Sequence, residues 1–103
     1  MRDACILVVD DDESVCAFCT TTLSRFENVS VTAEHRSGHA LKLCQKGGFD
    51  LVLTDLSMPG TDGVQILRAS KDTNPDAPVI IMTGYPSLDN SVECLRLGAS
   101  DYV

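Results

Sequence analysis

Basic residues and long apolar segments are both scarce in this sequence. The 103 residues include eight Lys and Arg against fifteen Asp and Glu, which gives a net charge of −7. Because nucleic-acid binding depends on clustered Lys and Arg that contact phosphates, this balance predicts that the domain does not bind nucleic acid directly. No apolar run approaches the ~20 residues that a membrane-spanning helix needs, so we expect neither a membrane segment nor a signal peptide.

The lack of an export signal also decides how the cysteines are interpreted. Five Cys is an odd number in such a chain, which favours reduced thiols in the cytoplasm over a disulfide framework. The composition, with 44% hydrophobic and 22% charged residues and no visible repeat or linker, is typical of a globular protein. We therefore expect residues 1–103 to form a single cytoplasmic domain.

Short apolar runs that end abruptly in polar residues recur along the chain. Cys5–Val9, Leu51–Leu53 and Val79–Met82 are continuous and β-branched, which predicts strands covered on both faces. Val29–Ala33 alternates apolar and polar residues, as an edge strand does. A fifth run begins near Asp101.

Helical periodicity fills the intervals between these runs. Apolar residues recur at three- and four-residue spacing in four segments, which predicts four helices with one buried face each. The inward positions are Val15, Cys19, Leu23 and Phe26, then Ala40, Leu41 and Cys44, then Val64, Ile66 and Leu67, and finally Leu88, Val92 and Leu95. Strands that alternate with helices predict an α/β fold with a doubly wound parallel sheet.

Acidic residues follow the first and third predicted strands. Asp10, Asp11 and Asp12 end the first run, Asp55 ends the third, and Thr83 follows the fourth. Open α/β sheets bind ligands beyond the carboxyl ends of their strands, where the strand order reverses. For the order 2-1-3-4-5 this point lies between strands 1 and 3, so the triplet and Asp55 are expected to share one crevice.

Clustered carboxylates in one crevice indicate a cation site. Two like charges ~4 Å apart repel by about 4 kcal/mol at an effective dielectric near 20, and a hard divalent cation such as Mg²⁺ removes this conflict. An aspartate can also be a nucleophile that forms an aspartyl-phosphate. The alternative is that these acids are solvated turn residues, but their convergence with Thr83 at neighbouring strand ends favours the chemical interpretation.

Four segments resemble the receiver domain of two-component response regulators. They are Ile6–Glu13 (ILVVDDDE), Asp50–Gly63 (DLVLTDLSMPGTDG), Pro78–Gly84 (PVIIMTG) and Gly98–Val103 (GASDYV). Each segment alone is weakly specific, whereas four in the family's order and spacing are strongly so. The resemblance implies a CheY-like, flavodoxin-like sheet of five parallel strands in the order 2-1-3-4-5.

The resemblance also implies a metal site for Mg²⁺ or Mn²⁺. Asp11 matches the acid that binds the metal directly, and Asp10 matches its neighbour. Asp55 and the backbone carbonyl of Ser57 match the other protein ligands. Asp12 also stands where an acid is common in the family, but we do not expect it to be a ligand.

By the same resemblance Asp55 is the phosphoacceptor, which takes a phosphoryl group from a sensor histidine kinase or a histidine phosphotransfer domain. Thr83 matches the hydroxyl that contacts the phosphoryl group, and Tyr102 matches the aromatic switch residue. The implied function is a signalling domain of a phosphorelay, which switches its interactions with partners, with an output domain in the full-length protein, or with a second copy in a phosphorylation-dependent dimer.

The sequence departs from the family at its end. The family places a lysine two positions beyond Val103, followed by Pro and a fifth helix, and that lysine stabilises the charge of the phosphoryl group. We therefore expect a C-terminally truncated receiver domain, with an incomplete last strand and no fifth helix.

Two other functions stay open at this point. An Asp-nucleophile phosphatase also needs acids and Mg²⁺ at strand ends, but it usually has a second acid two residues after the nucleophile, where this sequence has Ser57. We thus expect at most slow self-dephosphorylation and no enzyme. The second alternative is an interaction module that is independent of phosphorylation.

Two further motifs have structural interpretations. Cys16 and Cys19 form a C-x-x-C inside the first helical pattern, whereas a redox pair is activated at a helix N-terminus, so packing is favoured. His35 and His39 are separated by a predicted helix start, and we expect both to be surface residues.

Overall fold

The computed structural model of the chain describes residues 3–56, 63–82 and 93–102. The strands are β1 (Ala4–Val9), β2 (Val29–Glu34), β3 (Leu51–Asp55), β4 (Val79–Met82) and β5 (Asp101–Tyr102). The helices are α1 (Glu13–Leu23), α2 (Ser37–Lys46) and α3 (Gly63–Thr73). Residues 93–96 form a further helical turn before β5.

The strands form one sheet in the order β2-β1-β3-β4-β5. Every neighbouring pair is parallel, which confirms the doubly wound α/β fold and the predicted strand order. The alternating strand β2 lies at one edge, as predicted, and the two-residue β5 lies at the other. Within the predicted fourth helix, Leu95 was expected to face inward but is 52% exposed, because the neighbouring Cys94 is the buried residue of this turn. Leu88 and Val92 lie outside the described residues, and the predicted lack of a fifth helix remains a prediction.

The main core lies between the sheet and helices α2 and α3. Alternate residues of a strand point to opposite faces, and one face of β1 and β4 meets the two helices, which also pack against each other. In α3, Ile66 and Leu67 are completely buried, in agreement with the predicted inward positions. The buried members of this core are Leu7, Val9, Ala40, Cys44, Val52, Leu56, Ile66, Leu67, Val79, Ile81, Cys94 and Ala99.

Helix α1 covers the other face of the sheet, with Val15, Cys19 and Leu23 half-buried as predicted, but it ends earlier than predicted. Phe26 was predicted to face inward but is 63% exposed, while Cys16 is the buried residue of the helix. The cause is an early stop, because α1 ends at Leu23 and Ser24 forms its C-cap. Asn28, with φ of 62°, then turns the chain into β2.

All five cysteines are free thiols. The Cys16 thiol donates a hydrogen bond to the Asp10 carbonyl oxygen at 3.3 Å. Burial raises the pKa of the Cys16 thiol and also that of Cys19, which is only partly buried. A buried thiol at Cys16 and a half-buried one at Cys19, both within a helix and with raised pKa values, support the packing interpretation over a redox pair.

The helices in the described parts of the chain are all short. None of them is long and apolar enough to cross a lipid bilayer.

Asp12 forms the N-cap of α1. Its side chain accepts hydrogen bonds from the Ser14 backbone N–H at 2.9 Å and from the Ser14 hydroxyl at 2.5 Å. The first of these bonds satisfies a backbone N–H that has no partner within the helix itself. The cap therefore fixes where α1 begins, three residues after Asp10.

Replacing this cap tests its contribution to stability. We expect Asp12→Ala to lower the free energy of unfolding by about 1 kcal/mol, because the Ser14 N–H loses its acceptor. Chemical denaturation followed by circular dichroism measures the change. Asp12→Ser, which keeps a capping oxygen, is the matched control and should stay within a few tenths of a kcal/mol of the wild type; equal losses in both variants would contradict the capping role.

Candidate functional site

Three carboxylates meet at the carboxyl ends of β1 and β3. Asp10 and Asp11 follow β1 directly, and Asp55 is the last residue of β3. Val9 and Thr54 are register partners in the parallel pair, so the next position on each strand places Asp10 beside Asp55. One oxygen from each of Asp10, Asp11 and Asp55 lies within 4.8 Å of the others. The crevice predicted from strand order is present, and it contains these three acids.

Exposure differs strongly among the three acids. Asp10 is buried, with 8% of its surface exposed, Asp55 is half-buried, and Asp11 is exposed. The cluster therefore has one carboxylate at its base and one at its solvent side. A ligand can reach Asp55 and Asp11 from the solvent while Asp10 lies beneath them.

The charge of Asp10 is unfavourable in this position. Burial raises the pKa of Asp10 most, and the negative charges of Asp55, Asp11 and Asp12 raise it further. One opposing contact is present, because the Asp12 backbone N–H donates to Asp10 Oδ1 at 2.9 Å. A cation between the carboxylates would remove the remaining electrostatic conflict.

The donor set of this cluster fits a hard divalent cation. Three carboxylates offer only oxygen ligands, which Mg²⁺ and Ca²⁺ prefer, whereas soft metals prefer sulfur and nitrogen. The oxygens are close enough to bind one ion together. A divalent cation bound here would offset two of the three negative charges and still have coordination positions for water or an incoming anion.

Asp12 has a different role from its two neighbours in the triplet. Its hydrogen bonds with Ser14 lower its pKa, the side-chain bond contributing most. The carboxylate thus has its partners at the start of α1. The resemblance already set Asp12 apart from the expected ligands, and the structure shows that Asp12 is the N-cap of α1.

The remaining predicted site residues are only partly described. Ser57 and Thr83 lie outside the described residues, so their roles stay predictions. Thr83 follows Met82, the last residue of β4, whose register partner is Asp55. The backbone of Tyr102 lies in β5 and pairs with Ile81, which places it one strand further from the cluster.

Charged pairs line the neighbouring end of β2. Glu34 binds Arg36 through a hydrogen-bonded ion pair of 3.1 Å, and this contact lowers the pKa of Glu34. The two histidines contact different acids, His35 with Glu13 at 3.2 Å and His39 with Glu34 at 3.9 Å. Both are exposed, as predicted.

Comparison with known sequences identifies the family. The sequence model described as "Response regulator receiver domain" matches residues 6–103. The chain belongs to this family. The predicted family and fold are therefore confirmed, and the acid cluster lies within the matched receiver domain.

Curated receiver-containing relatives are longer than this chain. The transcriptional regulatory protein ZraR of Klebsiella oxytoca is 43% identical over 98 residues, which are 95% of this chain and 22% of that protein. The transcriptional regulatory protein YkoG of Bacillus subtilis, described as uncharacterized, is 36% identical over 103 residues, which cover all of this chain and 45% of that protein. This receiver domain thus spans less than half the length of either relative.

Solved structures agree with the architecture of this receiver domain. A response regulator from Burkholderia pseudomallei has a TM-score of 0.88 and 30% identity, and the match covers 97% of this chain and 58% of that one. Its structure is described as containing a phosphorylated aspartic acid, a calcium ion and citrate. That protein therefore carries both an acyl phosphate and a divalent cation.

Proposed function

We propose that this receiver domain is the phosphoacceptor of a two-component system, with Asp55 as the residue that is phosphorylated. The observation that carries the proposal is the cluster of Asp10, Asp11 and Asp55 at the strand-order reversal. A half-buried carboxylate at the end of β3 is open to a phosphoryl donor, and two further carboxylates next to it can hold the cation that such a reaction needs.

Asp10, Asp11 and Asp55 are the residues that would hold Mg²⁺ or Mn²⁺, together with the backbone carbonyl of Ser57. The cation supplies positive charge, which lets an anionic phosphoryl group approach a carboxylate. The Asp12 N–H donates to Asp10 Oδ1, which leaves Oδ2 of this carboxylate as an acceptor for a cation. The chemistry of the three carboxylates supports this assignment.

The transfer step forms one bond and breaks another. A carboxylate oxygen of Asp55 attacks the phosphorus of a phosphohistidine on a sensor histidine kinase or a histidine phosphotransfer domain. The P–O bond forms as the P–N bond breaks, and the imidazole leaves with a proton from solvent. The phosphoryl group stays on Asp55 until water removes it, so the domain is a signalling module and not an enzyme with turnover.

Thr83 and Tyr102 are proposed to read the modification. The Thr83 hydroxyl would contact a phosphoryl oxygen, and Tyr102 would change rotamer in response. Thr83 follows β4, which pairs with β3 on one side and with β5 on the other, so the change would alter the surface at that edge of the sheet. A coupling of ~1–3 kcal/mol is enough to change partner affinity usefully.

The output of the switch is proposed to lie outside this domain. The similarity to the transcriptional regulatory protein ZraR supports a role in gene regulation, while the net charge of −7 opposes direct contact with nucleic acid. We propose that a linked output domain, a separate partner or a second copy of the chain receives the signal in the cytoplasm.

Phosphorylation by a small acyl phosphate tests this function. We expect the chain incubated with Mg²⁺ and acetyl phosphate to gain the mass of one phosphoryl group, because Asp55 can attack an acyl phosphate as it attacks phosphohistidine. Intact-mass spectrometry measures the adduct. Asp55→Asn should gain no adduct, and a chelator added before acetyl phosphate should prevent the wild type from forming one.

The controls separate this function from its two alternatives. Asp76→Asn changes an exposed acid away from the cluster and should leave the labelling intact. Continuous release of phosphate that depends on Asp55 would instead support the phosphatase. A protein that binds Mg²⁺ without gaining any adduct would support the interaction module that is independent of phosphorylation.

A further inference from the structure

Gly63 lies directly against the backbone of Asp55. It is the first residue of α3, and its N–H donates to the Leu56 carbonyl oxygen at 2.8 Å. A methyl group at Gly63 would overlap the Asp55 carbonyl oxygen and lie 2.7 Å from Leu56 Cα. The N-terminus of α3 can therefore approach the end of β3 this closely only because residue 63 has no side chain.

Space, and not backbone conformation, requires glycine here. Gly47 and Gly98 have φ of 82° and 101°, values that favour glycine, whereas Gly63 is in an ordinary helical conformation. Ordinary contact for a Cβ begins near 3.4 Å, so an alanine at 63 would displace the Asp55–Leu56 backbone or α3 by about 1 Å. Both contacted groups are backbone, which has no side-chain torsion to relieve the overlap.

A second contact reaches the same carbonyl oxygen from the strand side. Thr54 is completely buried, and its hydroxyl donates to the Asp55 carbonyl oxygen at 2.9 Å. The peptide that follows Asp55 is therefore held by the Thr54 hydroxyl and by the close approach of Gly63. These two residues restrict the position of the Asp55 backbone, and with it the position of the side chain relative to Asp10 and Asp11.

We propose that Gly63 and Thr54 are positioning residues, which set the Asp55 carboxylate at the distance from Asp10 and Asp11 that cation binding and phosphoryl transfer require. This inference rests on the proposed function of Asp55. The contacts of both residues described above are with the Asp55–Leu56 backbone, so both act through the backbone of Asp55. A misplacement of about 1 Å at a reacting group can cost ~10²-fold in rate.

The experiment compares two disruptive variants with two conservative ones. Gly63→Ala adds the methyl group that the Asp55 backbone excludes, and Thr54→Val replaces the hydroxyl with a methyl group of similar shape. The first control is Gly38→Ala, because a Cβ on Gly38 meets nothing within 4 Å. The second is Thr54→Ser, which keeps the hydroxyl. Each protein is measured for Mg²⁺ affinity by calorimetry, for labelling rate at saturating Mg²⁺ and acetyl phosphate, and for folding by circular dichroism.

We expect Gly63→Ala to weaken Mg²⁺ binding and to slow labelling by roughly 10- to 100-fold. Both quantities are measured at a temperature well below the melting temperature of the variant. Thr54→Val should shift both quantities in the same direction, whereas Gly38→Ala and Thr54→Ser should match the wild type. A folded Gly63→Ala and a folded Thr54→Val that bind Mg²⁺ and accept phosphate like the wild type would overturn the inference. If Gly63→Ala does not fold, the comparison of Thr54→Val with Thr54→Ser decides by the same criteria.

The two readouts separate this inference from the proposed function. A wild type that binds Mg²⁺ but gains no adduct contradicts the phosphoacceptor, while the Mg²⁺ affinities of the variants still decide the positioning role. A wild type that neither binds Mg²⁺ nor gains an adduct overturns both.

Discussion

Asp10→Asn should stabilise the protein in a chelator and destabilise it relative to the wild type once Mg²⁺ is added. Asp10 is buried and lies within 4.8 Å of two other carboxylates. At that separation each charge pair repels by roughly 3 kcal/mol at an effective dielectric near 20. Solvent around the exposed Asp11 reduces this value, so we expect a net gain of about 1–2 kcal/mol for the neutral variant without metal.

Mg²⁺ should make the wild type the more stable of the two proteins, because only the wild type keeps all three acidic ligands. A ligand at 100 times its Kd stabilises the folded state by about 2.7 kcal/mol. Asn has the same shape as Asp, and its side-chain oxygen can still accept the Asp12 N–H, so the local backbone stays in place. Thermal melts of both proteins with EDTA and with Mg²⁺ measure the reversal.

Asp76→Asn is the control for this prediction. It removes one exposed acid outside the cluster and should respond to Mg²⁺ as the wild type does. The prediction is wrong if Asp10→Asn is the less stable protein in the chelator, or if it gains as much stability from Mg²⁺ as the wild type.

Leu67→Ala should cost the protein about 2–5 kcal/mol of its stability. Leu67 is completely buried in the core between α3 and the sheet, and the truncation leaves a cavity that neighbouring side chains fill only in part. For a domain of this size each kcal/mol lowers the melting temperature by about 4–8 °C. We therefore expect a fall of roughly 10 °C or more, measured by circular dichroism.

Leu95→Ala makes the same chemical change at a position that is 52% exposed. Its effect should stay within about 0.5 kcal/mol. Similar losses at Leu67 and Leu95 would contradict the placement of the core on the α3 side of the sheet. Because α3 also carries Gly63, a partly unfolded Leu67→Ala should lose Mg²⁺ affinity in parallel with its helical signal.

The sequence was sufficient to predict the architecture and the position of the cluster. Buried parallel strands are continuous apolar runs, and each such run here ends in polar residues, so the strand ends could be located from local pattern alone. The topology of α/β folds then placed Asp10, Asp11 and Asp55 together. The resemblance of four segments to the receiver family led to the same conclusion independently.

Periodicity alone did not predict where α1 ends, and the sequence did not identify Asp12 as its N-cap. Phe26 continues the apolar spacing of the helix, but the chain leaves the helix at Leu23, and spacing carries no information about where a helix stops. Asp12 is chemically identical to Asp10 and Asp11. Only the geometry of the Ser14 contacts identifies it as a cap.

The sequence by itself therefore determined which elements form, in what order, and which acids stand at their ends, because these depend on neighbours along the chain. Only the tertiary structure decided that Asp10 lies beneath its two partners and that Gly63 touches the backbone of Asp55. The first fact depends on the distance between Asp10 and Asp55, which are remote in sequence, and the second on how closely α3 returns to the end of β3. Such distances are set by how helices pack on the sheet, to within fractions of an ångström, and no local pattern of residues encodes them.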